Sequence, residues 1–145
     1  MKHNHALLIL PLVLTLALAA CSSDDSPTEP EDEVEPTRIT ETFTGTFGQD
    51  EEVFHQFTVV ETGDVDMTIT ELQPVEPLTV GLGIGTFDVE ADPQCVPIAT
   101  DTRVVVGATL LSSNIEPGEY CMLIGDVGNV FPDATVTYTV EVVHP

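Results

Sequence analysis

From Arg38 onward, apolar residues alternate with polar ones over short stretches that are separated by Gly, Pro, Asp and Glu. A period of two residues is typical of β-strands, because successive side chains point to opposite faces of a sheet. No stretch of this region shows a sustained helical period. With turn residues at regular intervals, the pattern predicts an all-β fold, a single antiparallel β-sandwich. The predicted strands span residues 40–47, 53–60, 65–70, 78–84, 104–111, 120–124 and 136–142.

The residue pattern within some of these segments also predicts their position in the sheet or an irregularity in the strand. Residues 120–124 are apolar on both faces, which predicts a central strand. Residues 78–84 alternate large apolar residues with Thr or Gly, so one face of that strand is bulky and the other is nearly bare. Gly107 indicates a bulge or a close backbone approach within residues 104–111. Residues 92–95 are predicted to form a loop.

Residues 1–20 have the layout of a secretory signal peptide. Lys2 gives a basic start, residues 6–18 are apolar except for Thr15, and small residues follow. The apolar run is too short to span a bilayer comfortably. The segment therefore predicts export of the remaining 125 residues, enough for one domain.

The end of this segment, Leu18-Ala19-Ala20-Cys21, resembles the lipobox of bacterial lipoproteins. The resemblance implies a diacylglycerol on the Cys21 thiol, cleavage before Cys21, and acylation of the new amino terminus by a fatty acid such as palmitate. Two or three acyl chains anchor a protein stably, since each buried methylene contributes about 0.8 kcal/mol. Ser22 at the next position implies sorting to the outer membrane if the host has two membranes. The alternatives are an ordinary cleaved signal and an uncleaved anchor helix.

Residues 21–37 are predicted to be a disordered tether, which leaves residues 38–145 for the β-sandwich. From residue 22 to 37 the chain holds seven acidic residues, three prolines and one large apolar residue, Val34. Such a segment cannot bury enough apolar surface to offset the entropy of ordering it, and its like charges keep it extended.

The whole chain is strongly acidic, with a formal net charge of −22. Beyond residue 20 its basic residues are Arg38 and Arg103 alone. This balance excludes nucleic-acid binding, which needs Lys and Arg to neutralise phosphate. It equally excludes docking on anionic lipid by charge, so the lipid on Cys21 is the expected membrane contact. A solvated, self-repelling surface is favoured over divalent-cation capture.

The order of the predicted strands is similar to the bacterial pre-peptidase C-terminal domain, with the Pro-Gly-x-Tyr turn at residues 117–120 as its most recognisable part. That family is a small jelly-roll-like β-sandwich appended to secreted proteases and other exported proteins. The resemblance covers about residues 40–143 and departs from the family in that no protease precedes the domain. It is carried by residues 54–59, 65–69, 78–82, 115–124 and 138–142.

The three cysteines divide into one lipid site and one pair. With Cys21 acylated, Cys95 and Cys121 are expected to form a disulfide in an oxidising envelope. Cys121 alternates with Tyr120 and Met122, so it should point away from them and hold the loop over the opposite face. Two unpaired thiols or a metal pair are the alternatives.

The sequence offers no catalytic set, and we expect no enzyme. Beyond residue 20 the histidines are His55 and His144. His55 lies in a strand pattern, where a surface or hydrogen-bonded core imidazole is favoured over a general base. His144 is penultimate and is expected to fray. Ser112 and Ser113 lie outside any Gly-x-Ser-x-Gly elbow, and no zinc-type cluster of His and Cys is present.

Calcium is the one cofactor for which the chain has candidate ligands. The acidic turns supply oxygen donors, but none follows an EF-hand loop, and Ca²⁺ needs six to eight converging oxygens. Some domains of the pre-peptidase family bind calcium, but no ligand motif of that family is matched here. The candidates are Asp50, Asp64, Asp66 and Asp88.

The function expected from these features is a membrane-anchored envelope lipoprotein whose β-sandwich is a non-catalytic binding module. Protein partners are favoured over glycans, because the chain has no Trp and few aromatic residues outside strand patterns. Phe87 and Phe131 are the candidates for exposed contacts, and packing of both against the core is the favoured alternative. The alternative function is a passive structural or calcium-stabilised acidic surface protein without a discrete ligand.

Overall fold

Eight antiparallel strands make up the part of the chain that the computed structural model describes, residues 37–74 and 78–145. The signal peptide, Cys21 and residues 22–36 of the expected tether lie outside the described residues. Over residues 37–74 and 78–145, no helix is long and apolar enough to cross a membrane. The strands are β1 (Ile39–Phe47), β2 (Glu52–Val59), β3 (Gly63–Gln73), β4 (Val80–Phe87), β5 (Cys95–Val104), β6 (Thr109–Ile115), β7 (Gly118–Gly125) and β8 (Val136–His144).

The strands form two four-stranded sheets with jelly-roll topology. The first sheet has the order β1-β8-β3-β6 and the second has the order β2-β7-β4-β5. The paired strands β1 and β8 lie in the first sheet, and the next pair, β2 and β7, lies in the second sheet. This alternation of strand pairs between two sheets is typical of a jelly roll. The antiparallel, jelly-roll-like sandwich predicted from the sequence is therefore confirmed. The predicted central strand is also confirmed, because β7 lies between β2 and β4.

The core lies between the two sheets and is built by alternate residues of each strand. On β8, Val136, Tyr138, Val140 and Val142 are buried, and the residues between them are not. On β4, the apolar face of the strand points inward and its glycines lie on the other face, as the alternation predicts. Each fully buried apolar side chain contributes about 1.5–3 kcal/mol, so this alternation fixes which face of each strand points inward.

One strand was missed and another was placed wrongly. The sequence pattern predicts a loop at residues 92–95, but Cys95 is the first residue of β5. The pattern did not predict this strand. The segment at residues 104–111 is not one strand, because Val104 ends β5 and β6 begins only at Thr109. Gly107 lies in the turn between them with φ of 85°, a conformation that glycine adopts readily. Its role is therefore a turn rather than a bulge.

The expectation that His144 frays is wrong. Its side chain is 1% exposed, and its ring centroid lies 5.2 Å from that of Phe57. Its Nε2 lies 2.9 Å from Oε1 of Glu41 on the neighbouring strand. His144 is the last residue of β8, which pairs with β1 along its whole length, so the end of the chain is fixed by packing and by backbone pairing.

Candidate functional site

Several exposed apolar residues lie on the two strands β5 and β6 and in the turn between them. We call residues 95–115, which comprise β5, β6 and the turn between them, the β5–β6 side. Among the eight described strands both are edge strands, since β5 pairs there only with β4 and β6 only with β3. Exposed large hydrophobic residues on this side are Val96, Ile98, Val105, Val106 and Leu111.

The β5–β6 side is electrically neutral in a chain that is otherwise acidic. Of the 25 Asp and Glu residues of the chain, Asp101 alone lies between residues 95 and 115, and Arg103 offsets it. Ile98 is 52% exposed and Leu111 is 57% exposed. A soluble domain rarely exposes such a group of apolar side chains without using it for an interaction.

Strand β5 is fixed at both ends and exposed between them. Cys95 and Val104 are buried, whereas every residue from 96 to 103 is exposed. The two ends are therefore held in the fold while the side chains between them face solvent. This arrangement presents apolar side chains on a strand of defined position.

The start of β5 is held by the disulfide between Cys95 and Cys121, as predicted. The two cysteines form a small cluster with Leu123 on the outer face of the second sheet. Tyr120 and Met122 belong instead to the main core, so the predicted orientation of Cys121 is also confirmed. Phe87 packs against this outer cluster, with its ring centroid 6.0 Å from that of Phe54.

Phe131 behaves differently from Phe87. It is 77% exposed, and it borders an apolar pocket of about 260 Å³. The pocket lies beside the segment between β7 and β8 and is lined by Pro74, Leu78, Asn129, Val130, Phe131, Ala134 and Val136. Phe131 is therefore an exposed aromatic residue and does not follow the favoured alternative, packing against the core. It is distant in sequence from the β5–β6 side.

The loop that follows β7 is organised by Asp126. Its Oδ1 accepts backbone hydrogen bonds from Gly128, Asn129 and Val130, and its Oδ2 accepts one from Asp50. Desolvation alone would raise the pKa of Asp126, but these four backbone N–H groups outweigh it and lower the pKa below its usual range. The ionised carboxylate therefore ties this loop to the turn between β1 and β2.

His55 is built into the sandwich rather than into a catalytic set. Its Nε2 lies 2.8 Å from the Tyr138 hydroxyl, and its ring stacks on Phe43 with the ring centroids 5.0 Å apart. Burial lowers the pKa of His55 and raises the pKa of Tyr138, so both groups are neutral at neutral pH. Among the described residues, no hydrogen bond joins His55 or His144 to a serine, threonine or cysteine.

Of the four calcium candidates, Asp64 and Asp66 lie together on β3, whereas Asp50 and Asp88 lie in two separate turns. Asp66 forms an ion pair with Arg38, with 2.8 Å between Oδ2 and Nη2. Oδ1 of Asp64 accepts the backbone N–H of Asn114 at 3.1 Å. Asp50 lies in the turn before β2, and Asp88 accepts the backbone N–H of Glu90 within its own turn. Within the two described ranges, no three or more His, Cys, Asp or Glu side chains are placed to hold a metal ion. Calcium binding stays a prediction.

Comparison with known proteins supports the fold alone. No protein-family model matches the chain, and no curated protein matches it. Membership of the pre-peptidase C-terminal family therefore stays a prediction. The structure is similar to that of PliG from Aeromonas hydrophila, a periplasmic lysozyme inhibitor of g-type lysozyme. The TM-score is 0.50 with 10% sequence identity, and the match covers 71% of this chain and 83% of PliG.

Proposed function

We propose that this protein is an exported lipoprotein, held at the cell envelope by the lipid on Cys21, whose β-sandwich binds another protein without catalysing a reaction. In a host with two membranes, Ser22 favours the outer membrane as its location. The tether at residues 21–37 would give the domain reach from the membrane surface.

One observation carries the binding function, namely the neutral apolar β5–β6 side. The buried centre of a protein interface is more apolar than its rim, and a few side chains in that water-excluded centre supply most of the binding energy. Ile98 and Leu111 are the most exposed large hydrophobic residues of this side. The disulfide that holds Cys95 fixes one end of the strand that carries Ile98, so little order has to be gained on binding.

The similarity to PliG agrees with a non-catalytic role. PliG is a periplasmic protein that inhibits an enzyme, so the same fold serves protein binding in at least one exported protein. The sequence identity of 10% carries no partner over to this chain. A g-type lysozyme is nevertheless a reasonable purified protein to include among the first binding assays.

The binding function is tested by capture from an envelope extract with residues 22–145 as bait. Each captured protein is then purified and titrated against the wild type and against Ile98→Lys and Leu111→Lys. We expect saturable binding that each substitution weakens at least tenfold. The matched control is Val89→Lys, because Val89 is 68% exposed but lies outside the β5–β6 side.

Two results would contradict this function. Either no saturable partner is found, or a partner binds the Lys variants as tightly as the wild type. The first result, together with an envelope defect on gene deletion, would favour the passive structural role instead.

The lipid anchor is tested separately with Cys21→Ala. Since the chain beyond residue 20 has only two basic residues, nothing else in its composition attracts an anionic membrane. We expect the wild type in the membrane fraction with an acylated amino-terminal peptide in the mass spectrum, and the variant in the soluble fraction with its fold intact. Retention of the variant in the membrane would disprove the anchor.

A further inference from the structure

The edge of β5 is unsuited to pairing with a further strand. Its register against β4 shifts between Ile84 and Gly85, which pair with Ala99 and Pro97 and leave Ile98 without a partner. A second shift, between Val80 and Leu82, falls opposite residues 102–103, and the N–H of Arg103 is bound by Oδ1 of Asp101. Proline and bulges are features by which natural edge strands avoid pairing with other chains.

The contacts that this strand can offer are therefore made by side chains. The register shift leaves Ile98 out of the ladder, and its side chain is exposed, as is that of Val96. Val105 and Val106 continue the apolar surface through the turn, and Leu111 extends it onto β6. This side therefore offers exposed apolar side chains rather than an open backbone edge.

Acidic residues border this surface on several sides. Asp92 precedes β5 and Glu116 follows β6, and both are exposed. On β3, the strand next to β6, Asp66 pairs in register with Leu111. Asp64 lies at the same edge, where its carboxylate holds the backbone of Asn114. Asp66 is itself paired with Arg38, so the negative charge next to the apolar residues is carried by Asp64, Asp92 and Glu116, in a chain with a net charge of −22.

We infer that the partner is a basic protein that covers the β5–β6 side with apolar side chains and meets the acidic border with Lys and Arg. This inference rests on the proposed function and names the class of its partner. A second copy of this chain does not fit, because it would bring two acidic borders together, and like charges in contact repel. A basic partner gains from the same border, chiefly in its rate of association, which long-range attraction raises.

The chemistry is tested with synthetic peptides of equal length and helical design. The leucine–lysine peptide has leucine on one face of the helix and lysine on the other. The alanine–lysine peptide has alanine in place of leucine, and the leucine–serine peptide has serine in place of lysine. The bait is residues 22–145, in the wild type and in the variants Ile98→Ser and Leu111→Ser, with Val89→Ser as the control. Association and dissociation rates are measured at low and at high salt.

We expect the leucine–lysine peptide to bind most tightly. Raising the salt from about 0.02 M to about 0.5 M should slow its association at least tenfold, because the Debye length shrinks from roughly 20 Å to a few Å. Ile98→Ser and Leu111→Ser should speed its dissociation at least fivefold, and Val89→Ser should leave it unchanged. The alanine–lysine peptide should bind weakly and equally to all four proteins.

Three outcomes would overturn the inference. The first is that the leucine–serine peptide binds as tightly as the leucine–lysine peptide. The second is that the association rate is independent of salt, and the third is that sedimentation shows the bait dimerising through this side. If a partner captured from the envelope binds through Ile98 and Leu111 but is acidic, the inference fails while the proposed function stands. If no protein or peptide binds through this side, both fail.

Discussion

The hydroxyl of Tyr138 on β8 lies 2.8 Å from Nε2 of His55 on β2, so a side-chain hydrogen bond joins the two sheets. Tyr138 is fully buried and reaches the partly buried His55 near the edge where β1 and β2 meet. Phe43 on β1 stacks on the other side of the imidazole. The three side chains connect the first sheet to the second at this edge.

Removing this hydrogen bond should destabilise the sandwich without changing its fold. Tyr138→Phe deletes only the hydroxyl and leaves a ring nitrogen of His55 without its partner. We expect a loss of about 1–2 kcal/mol in the free energy of unfolding, measured by urea titration. The control is Tyr120→Phe, since the Tyr120 hydroxyl bonds the Glu116 carbonyl oxygen in an exposed setting and should contribute less. Equal losses in the two variants would contradict a special role for the bond between the sheets.

His55 should make stability depend on pH in the mildly acidic range. Burial lowers its pKa in the folded state below the usual 6.5, so the unfolded chain takes up a proton at a higher pH than the folded chain does. The contribution of neutral His55 is therefore complete above about pH 6.5 and is lost as the pH falls below that value.

The measurement compares the wild type with His55→Gln at several pH values between about 7.5 and 5, above the range in which carboxylates titrate. The difference in free energy of unfolding isolates His55, because His144 is common to both proteins. The wild type should lose more stability on acidification than the variant. Parallel curves for the two proteins would show that His55 does not titrate differently on folding.

The space that Tyr138 occupies is provided by a glycine on the neighbouring strand. Gly45 pairs with Tyr138 in register, and a Cβ at position 45 would lie 2.5 Å from the Tyr138 hydroxyl oxygen and 2.8 Å from Cζ. Gly45→Ala should force the ring to move and cost about 1–3 kcal/mol. In Gly118→Ala the added methyl group meets no atom closer than 3.4 Å, so a much smaller loss is expected in the same urea titration. A neutral Gly45→Ala would mean that Tyr138 can shift freely.

The disulfide should contribute much of the stability of this small domain. Cys95 and Cys121 are 26 residues apart in sequence, and closing such a loop in the unfolded chain is worth about 3–4 kcal/mol. We expect a reductant to lower the urea midpoint of the wild type to that of the double variant Cys95→Ala, Cys121→Ala. The double variant serves as its own control, since reductant should leave it unchanged. A wild-type midpoint that is insensitive to reductant would contradict the prediction.

The alternation of apolar residues was sufficient to predict β1, β2, β3, β4, β7 and β8, whereas β6 was placed wrongly at residues 104–111. β8 is the clearest case, because its inward face is apolar at each of four alternate positions and its outward face is polar. The disulfide was also predictable, since only two cysteines remained once Cys21 was assigned to lipid.

The parts that sequence reasoning missed are those where burial does not follow alternation. β5 has no inward face to impose a period, since all eight residues between its ends are exposed, and Pro97 argues against a strand. The apolar β5–β6 side followed from this strand and was missed with it. His144 was misjudged because its burial depends on Glu41 and Phe57, which lie far away in sequence. The apolar residues at 95–98 were the signal that could have indicated both the strand and the surface.

The pairing of β1 with β8 determines when the domain can finish folding. In the described chain β1 precedes the other seven strands, and its only backbone partner there is β8, with Ile39 opposite His144. Contacts of such long sequence separation form slowly and late. A chain delivered amino terminus first would therefore keep β1 unpaired until β8 had emerged. If the chain is exported as a thread, this delay keeps it competent for translocation, and the sandwich is completed by the arrival of β8.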